Sequence, residues 1–104
     1  MLDKVMVLKL RDGSEWAVPV EVIARSRAAH YANEHDGNIE DSLKFDTLPL
    51  FKASSYAVED WAANNMNWSD LAPHARQIKP PVPLSYADFQ DALLADDKEV
   101  RDAA

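Results

Sequence analysis

The segment YAVEDWAANNMNW (56–68) gathers two of the chain's three tryptophans into one short stretch. Large aromatic side chains dominate the cores of small domains. Trp61 lies midway along a predicted helix, which Ser54 or Ser55 caps at its N-terminus and which a run of asparagines ends. We therefore expect the rest of the fold to be organised around this helix, with both tryptophans anchoring it to a small sheet.

The N-terminal residues predict a β-hairpin. Residues 4–10 (KVMVLKL) and 14–20 (SEWAVPV) are short runs rich in β-branched and other apolar residues. The Asp-Gly pair between them indicates a tight turn, because such turns need residues that adopt positive φ. A two-residue loop pairs Lys9 with Trp16, whereas a bulged three-residue loop shifts the pairing by one. Apolar residues on both faces of the first strand predict a central position in the sheet.

A helix is predicted to follow the hairpin, with Pro19 at its start. Glu21 and Arg25 stand four residues apart and are oriented for an ion pair on its surface. The helix is predicted to end near residues 33–36, with Gly37 beyond it. Its apolar stripe recurs at helical spacing and consists of Val20, Ile23, Ala24, Ala28 and Tyr31.

The second half of the chain gives weaker patterns. Residues 38–53 show no clear period and contain a proline, so a loop with one or two short turns is predicted. Residues 74–79 are predicted to form a third, edge strand, followed by an extended connector, KPPVP (79–83), which also has the PxxP spacing of groove-bound ligands. Ser85 and Asp88 resemble a capping box. The buried stripe predicted for the last helix consists of Tyr86, Phe89 and Leu93.

These elements predict one α+β domain over residues 1–95, in which a small antiparallel sheet packs against two or three helices. A charged tail, residues 96–104, is expected to fray. A chain of 104 residues buries about two-thirds of its unfolded surface, which suffices for one core. The hydrophobic fraction of 47% is ordinary for a globular domain.

The composition limits the cellular location and the classes of binding partner that we expect. The chain has no cysteine, which excludes a disulfide framework and a thiolate zinc site. Charges interrupt the apolar N-terminus, so we expect a cytoplasmic protein without a signal peptide or membrane span. Eleven basic residues are scattered among eighteen acids, giving a net charge of −7, which disfavours direct binding to nucleic acid or anionic membranes. An acidic inhibitor that imitates nucleic acid is an alternative hypothesis.

A cluster of polar residues near the end of the first helix raises a metal-binding alternative. His30 and Glu34 stand four residues apart and share a helix face, so a metal ion can lie between them, with His35 and Asp36 close by. The alternative without a metal is that these residues form an ordinary polar helix end. The nucleophile motifs and glycine-rich phosphate loops of enzymes are absent. We therefore assign no catalytic residue, expect no cofactor and favour a non-enzymatic protein over a small metal-dependent protein or enzyme.

The remaining tryptophans allow two interpretations. Trp16 on the hairpin and Trp68 after the central helix belong either to the core or to an exposed aromatic patch. Tryptophan is enriched at the hot spots of protein interfaces. Our leading hypothesis is a protein-interaction or assembly module that binds a protein partner through Trp16 and Trp68, as a monomer or small homo-oligomer.

Two stretches together resemble a known group of proteins. They are LRDGSEWAVPVEVIARSRAAHYA (10–32) and WAANNMNWSDLAPHA (61–75). Both are similar to small uncharacterised proteins encoded in bacteriophage and prophage gene clusters. The resemblance implies a phage accessory or assembly protein, or a host protein derived from one. It supplies no catalytic or binding residues.

Overall fold

The computed structural model describes residues 1–95, 99, 100 and 102 and forms an α+β fold. Its antiparallel sheet has the strand order β1-β2-β3, which confirms the predicted hairpin and third strand. The predicted tail, residues 96–104, lies largely outside the described residues. The strands are β1 (Val5–Lys9), β2 (Glu15–Pro19) and β3 (Arg76–Lys79). The helices are α1 (Val20–His30), α2 (Ile39–Ser42), α3 (Leu48–Ala53), α4 (Tyr56–Asn65), α5 (Trp68–Leu71) and α6 (Tyr86–Leu94), with 3₁₀ turns at Ala32–His35 and Ala72–His74.

The hairpin has the bulged three-residue loop rather than the two-residue loop. The Leu10 amide donates to the Ser14 carbonyl over 2.9 Å, and the Gly13 amide donates to the Leu10 carbonyl over 3.1 Å. Gly13 has a φ of 85°, the left-handed conformation that glycine adopts without steric cost. The strands consequently pair Leu8 with Trp16.

The prediction that the first strand is central is wrong, because β3 pairs with β2 and leaves β1 at an edge. Met6 and Leu8 pack against the core, on the face that the helices cover. Val5 and Val7 lie on the opposite face, where their side chains are 43% and 40% exposed. The first strand therefore has apolar residues on both faces, but only Met6 and Leu8 pack against the core.

The core forms around α1. Pro19 ends β2 and is the residue before the first turn of α1, as predicted, and the Arg25 guanidinium lies 3.0 Å from the Glu21 carboxylate. The predicted stripe is confirmed, with Tyr31 half-buried at its end. The remaining stripe residues are buried together with side chains of the later helices: Val20, Ile23, Ala24, Ala28, Leu43, Phe51, Val58, Ala62 and Leu71.

The loop predicted over residues 38–53 is instead helical from Ile39 to Ala53, with a π-helical stretch at Leu43–Thr47 between α2 and α3. Proline in a regular helix removes a hydrogen bond and clashes with the carbonyl four residues earlier. The wider π-helical turn directly before Pro49 relieves this conflict, because its bonds span five residues. Burial of Phe51, which is 0% exposed, stabilises the arrangement.

A charged contact joins this helical segment to α1. The Arg27 guanidinium donates to the Asp46 carboxylate and to the Thr47 hydroxyl, each over 3.0 Å. The donation from Arg27 lowers the pKa of Asp46 below its ordinary value of 3.8. Asp46 is also 3.5 Å from the His35 imidazole. The segment is therefore held by ion pairing as well as by burial.

The last helix does not pack as predicted. The capping box is confirmed, since the Asp88 carboxylate accepts from the Ser85 amide over 2.8 Å and the Ser85 hydroxyl accepts from the Asp88 amide over 3.3 Å. The stripe of Tyr86, Phe89 and Leu93, however, is 83%, 62% and 60% exposed. The Val82 amide donates to the Asp12 carbonyl over 3.0 Å, so the connector is tied to the hairpin loop and does not return α6 to the core.

We expect Gly13→Ala to destabilise the protein more than Gly37→Ala. Both glycines have positive φ, 85° and 76°, where an L side chain costs roughly 1–3 kcal/mol. A Cβ at Gly13 also lies 2.8 Å from the Val82 side chain, whereas nothing lies within 4 Å at Gly37. Urea unfolding measures both losses. The excess at Gly13 should shrink in a Val82→Ala background, and equal losses for the two single variants would contradict the contact.

We expect Asp46→Asn to lower the free energy of unfolding at pH 7 by roughly 1.5–3 kcal/mol, the range for charge-assisted hydrogen bonds. Because folding lowers the pKa of Asp46, its contribution is complete above the unfolded pKa and disappears as the pH falls through the folded pKa. Urea titrations from pH 7 to below 3.8 should therefore show the two proteins converging. Asp91→Asn on exposed α6 is the control, and a difference independent of pH would contradict the ion pair.

Candidate protein-binding groove

Trp16 and Trp68, which the sequence suggested as a patch, lie side by side at the surface. Their ring centroids are 6.5 Å apart with an interplanar angle of 83°, an edge-to-face contact. Trp68 is 50% exposed and Trp16 is half-buried. The structure thus brings the two residues together, and their role in binding stays a prediction. We call them the Trp16–Trp68 patch.

Each ring is positioned by a separate element. Trp16 belongs to β2 and lies opposite Leu8, and its indole N–H donates to the buried Ser14 hydroxyl over 3.3 Å. Trp68 is the first residue of α5, where the Asn67 amide donates to the Asp70 carboxylate over 2.8 Å. The short α5 is anchored by Leu71, which is 6% exposed. The patch is therefore held at two independent points.

The patch continues into an apolar groove that follows β1. A depression of about 530 Å³ lies between the end of β1 and the two tryptophans. A second of about 330 Å³ lies between β1 and the C-terminal half of α4, and a third of about 290 Å³ lies near the N-terminus. Neighbouring depressions share lining residues. We call the whole the β1 groove; its principal lining residues are Lys4, Val5, Met6, Val7, Leu8, Lys9, Leu10, Trp16, Val58, Glu59, Ala62, Met66 and Trp68.

The backbone of β1 is open along this groove. Two hydrogen bonds show which residues of the first strand face β2. The Leu10 amide donates to the Ser14 carbonyl, and the Val20 amide donates to the Lys4 carbonyl. Antiparallel pairing alternates, so even-numbered β1 residues bond to β2 and odd-numbered ones point away. In the described part of the chain, β1 pairs with β2 alone. The amides and carbonyls directed toward the open edge belong to Val5, Val7 and Lys9.

The other edge of the sheet is protected. β3 has only four residues, with Arg76 and Lys79 at its ends, and Pro80 and Pro81 follow it directly. A register shift also lies between Glu15 and Trp16 on the neighbouring strand. Short strands, charges, prolines and bulges are the devices by which proteins prevent unwanted strand pairing. β1 also has a lysine at each end, Lys4 and Lys9, but it is longer than β3 and contains no proline.

Charges are distributed unevenly around the groove. Lys4 and Lys9 lie at its two ends, and Glu59 of α4 lies between them, beside Val7. The walls between these charges are mainly aliphatic or aromatic, with the polar side chains of Ser55 and Asn67 among them. Such a surface suits the binding of a partly apolar chain, with charges that fix its register.

The four residues of the metal-binding alternative, His30, Glu34, His35 and Asp36, are not gathered into one cluster. The His30 ring lies 5.4 Å from the Trp61 ring, whereas His35 faces Asp46. Across residues 1–95, 99, 100 and 102, no group of three or more His, Asp or Glu side chains is placed to hold a metal ion. The predicted pairing of His30 with Glu34 assumed a regular helix as far as Glu34. Instead α1 ends at His30, and the chain continues as a 3₁₀ turn with different side-chain directions.

Trp61 contacts a different element from the one that the sequence predicted. Trp61 packs half-buried against the core, but its indole N–H donates to the Ser26 hydroxyl over 3.2 Å, so it anchors α4 to α1 rather than to the sheet. Sequence reasoning missed the groove, since a central β1 has no free edge. The sequence does contain one signal of an open edge at β1. Residues 76–81 include charged residues and prolines, which protect edge strands, whereas residues 5–8 are uncharged and contain no proline.

Comparisons of the chain with protein-family models, curated proteins and solved structures found no match. Among the described residues, no helix has the length and apolar character needed to cross a membrane.

We expect Trp68→Ala to cost little stability, because the ring is 50% exposed and its main contact is the edge-to-face pair. Such pairs contribute roughly 0.5–1.5 kcal/mol. Phe51→Ala, at a site with 0% exposure, should cost about 3–5 kcal/mol. Urea unfolding of both variants checks the difference. Comparable losses would show that Trp68 supports the core.

Proposed function

We propose that this chain is a non-enzymatic protein-interaction or assembly module that binds a protein partner through the Trp16–Trp68 patch and the adjoining β1 groove. The observation that carries the proposal is the contact of the two rings at the surface, 6.5 Å apart, where an apolar groove begins. Contiguous exposed apolar surface rimmed by polar residues is typical of interaction sites. Its polar rim includes Lys9.

The geometry favours binding because the patch is already assembled in the free chain. The Trp16 ring is held by its indole N–H bond to Ser14, and the Trp68 ring lies edge-to-face against it, so less side-chain freedom remains to be lost on association. Tryptophan also contributes a large contact area for few rotatable bonds. These properties support an anchoring role for the two rings.

The proposal extends to a biological context. The resemblance of residues 10–32 and 61–75 to proteins of phage and prophage gene clusters supports an accessory or assembly role there. The net charge of −7 supports a protein partner over direct contact with nucleic acid. A cytoplasmic location accords with the absence of cysteine.

Affinity capture tests the proposed function. The full chain carrying a tag is incubated with lysate of the source cells, and retained proteins are identified by mass spectrometry. We expect one protein to be retained by wild type and lost by Trp68→Ala. Phe45→Ala is the matched control, because Phe45 is also an aromatic residue, 63% exposed, and does not line the β1 groove.

Comparing the proteins retained by wild type, Trp68→Ala and Phe45→Ala tests the proposed binding role. Retention of the same protein by wild type and Phe45→Ala, but not by Trp68→Ala, supports the proposal. Retention that is unaffected by Trp68→Ala, or lost equally in both variants, contradicts a binding role for the patch. Circular dichroism of the three proteins shows whether a loss reflects unfolding.

A further inference from the structure

We infer that the β1 groove receives an extended peptide segment of the partner, which pairs with β1 as a fourth strand of the sheet. This inference rests on the proposed function and specifies the form that the bound segment takes. It follows from the open backbone of β1, the apolar wall beside it and the charges at its ends.

The open backbone groups of β1 favour an extended strand over a helix as the bound segment. Val5, Val7 and Lys9 direct amide and carbonyl groups toward the open edge of the sheet. A helix satisfies its own backbone groups and offers none to this edge. An extended segment supplies donors and acceptors at the matching two-residue interval, and main-chain bonds of this kind give affinity in peptide recognition by sheet edges.

The residues that line the β1 groove restrict which side chains the bound segment can have. A strand beside β1 lies about 4.8 Å away, and its successive side chains point to opposite faces. On the helical face it meets Met6, Leu8, Ala62 and Met66, which form an apolar wall. The segment therefore has apolar residues at every second position, and the Trp16–Trp68 patch receives a large side chain at one end.

Charge further restricts the segment. Lys4 and Lys9 stand five residues apart, which corresponds to about 17 Å along a strand. They favour acidic side chains near both ends of the bound segment, whereas Glu59 between them disfavours an acidic side chain in the middle. The partner segment is thus about six residues long, apolar at alternate positions and acidic at its ends.

A second copy of the chain fits this edge less well. Antiparallel pairing of two β1 strands centred on Val7 aligns them over their full length and gives a two-fold axis there. Glu59 lines the groove beside Val7, so the axis brings the Glu59 side chains of both copies to the same place. Like charges brought together are unfavourable, and an extended segment of another protein avoids this repulsion.

Peptide selection provides the probe. A display library of random eight-residue peptides is selected on the immobilised full chain, and the tightest peptide is synthesised for calorimetry. Single N-methyl groups are then placed at each of its residues in turn. Strand addition predicts alternation, in which methyl groups on amides facing β1 weaken binding about tenfold or more, and those facing away have little effect.

A matched pair of protein variants tests the same contact from the other side. Val7→Pro removes an amide that points toward the open edge and leaves the bonds to β2 in place, as proline requires at an edge strand. Val7→Thr keeps both the amide and the branched shape. We expect Val7→Pro to weaken peptide binding about tenfold and Val7→Thr to bind within about threefold of wild type. If Val7→Pro fails to fold, the N-methyl series on wild type decides alone.

The outcomes separate this inference from the proposed function. Peptides that require Trp68 but show no alternation support a binding module and overturn strand addition. Failure to select any peptide also overturns strand addition, while affinity capture decides the proposed function independently. A wild-type dimer that Val7→Pro converts to a monomer, measured by light scattering, overturns the inference in favour of a second copy at the edge.

Discussion

The close packing of other elements around α1 is the constraint on which the rest of the structure depends. Ala24 and Ala28 are both 0% exposed, and their small side chains leave room for the backbones of neighbouring helices. α1 contacts β2 at its start, the segment 39–53 along its length and α4 across its remaining face. Larger residues at the two alanine positions would separate these elements, because a close-packed core tolerates added volume poorly.

This packing also determines where the proposed binding surface lies. α4 lies against α1, and Ala62 of α4 and Met66, which follows α4 directly, form the wall beside β1. The Arg27–Asp46 contact fixes the segment 39–53 elsewhere on α1, so that segment leaves the β1 edge uncovered. The geometry of the groove is therefore a consequence of helix packing, whereas its hydrogen-bonding capacity comes from the sheet.

The sequence predicted local elements well and their long-range relations poorly. The hairpin, α1, β3 and the capping box at Ser85 follow from turn, helix and capping signals within a few residues. The segment 38–53 was misjudged because Pro49 indicates a helix break, and the π-helical turn that accommodates it has no local signature. The edge position of β1 depends on which strand β3 joins, and the exposure of α6 depends on the path of the connector. Their positions on the hairpin and after the central helix also singled out Trp16 and Trp68, without showing that the fold would bring the two rings into contact.

The unequal edges of the sheet have a consequence for the stoichiometry of any complex formed there. A sheet with two open edges can recruit strands without limit, and fibrous aggregation is the usual result. Here β3, with Arg76, Lys79 and two following prolines, terminates growth on one side. Strand addition is thus limited to the β1 side of the molecule. Polymer growth by strand pairing at both edges of this sheet is therefore disfavoured.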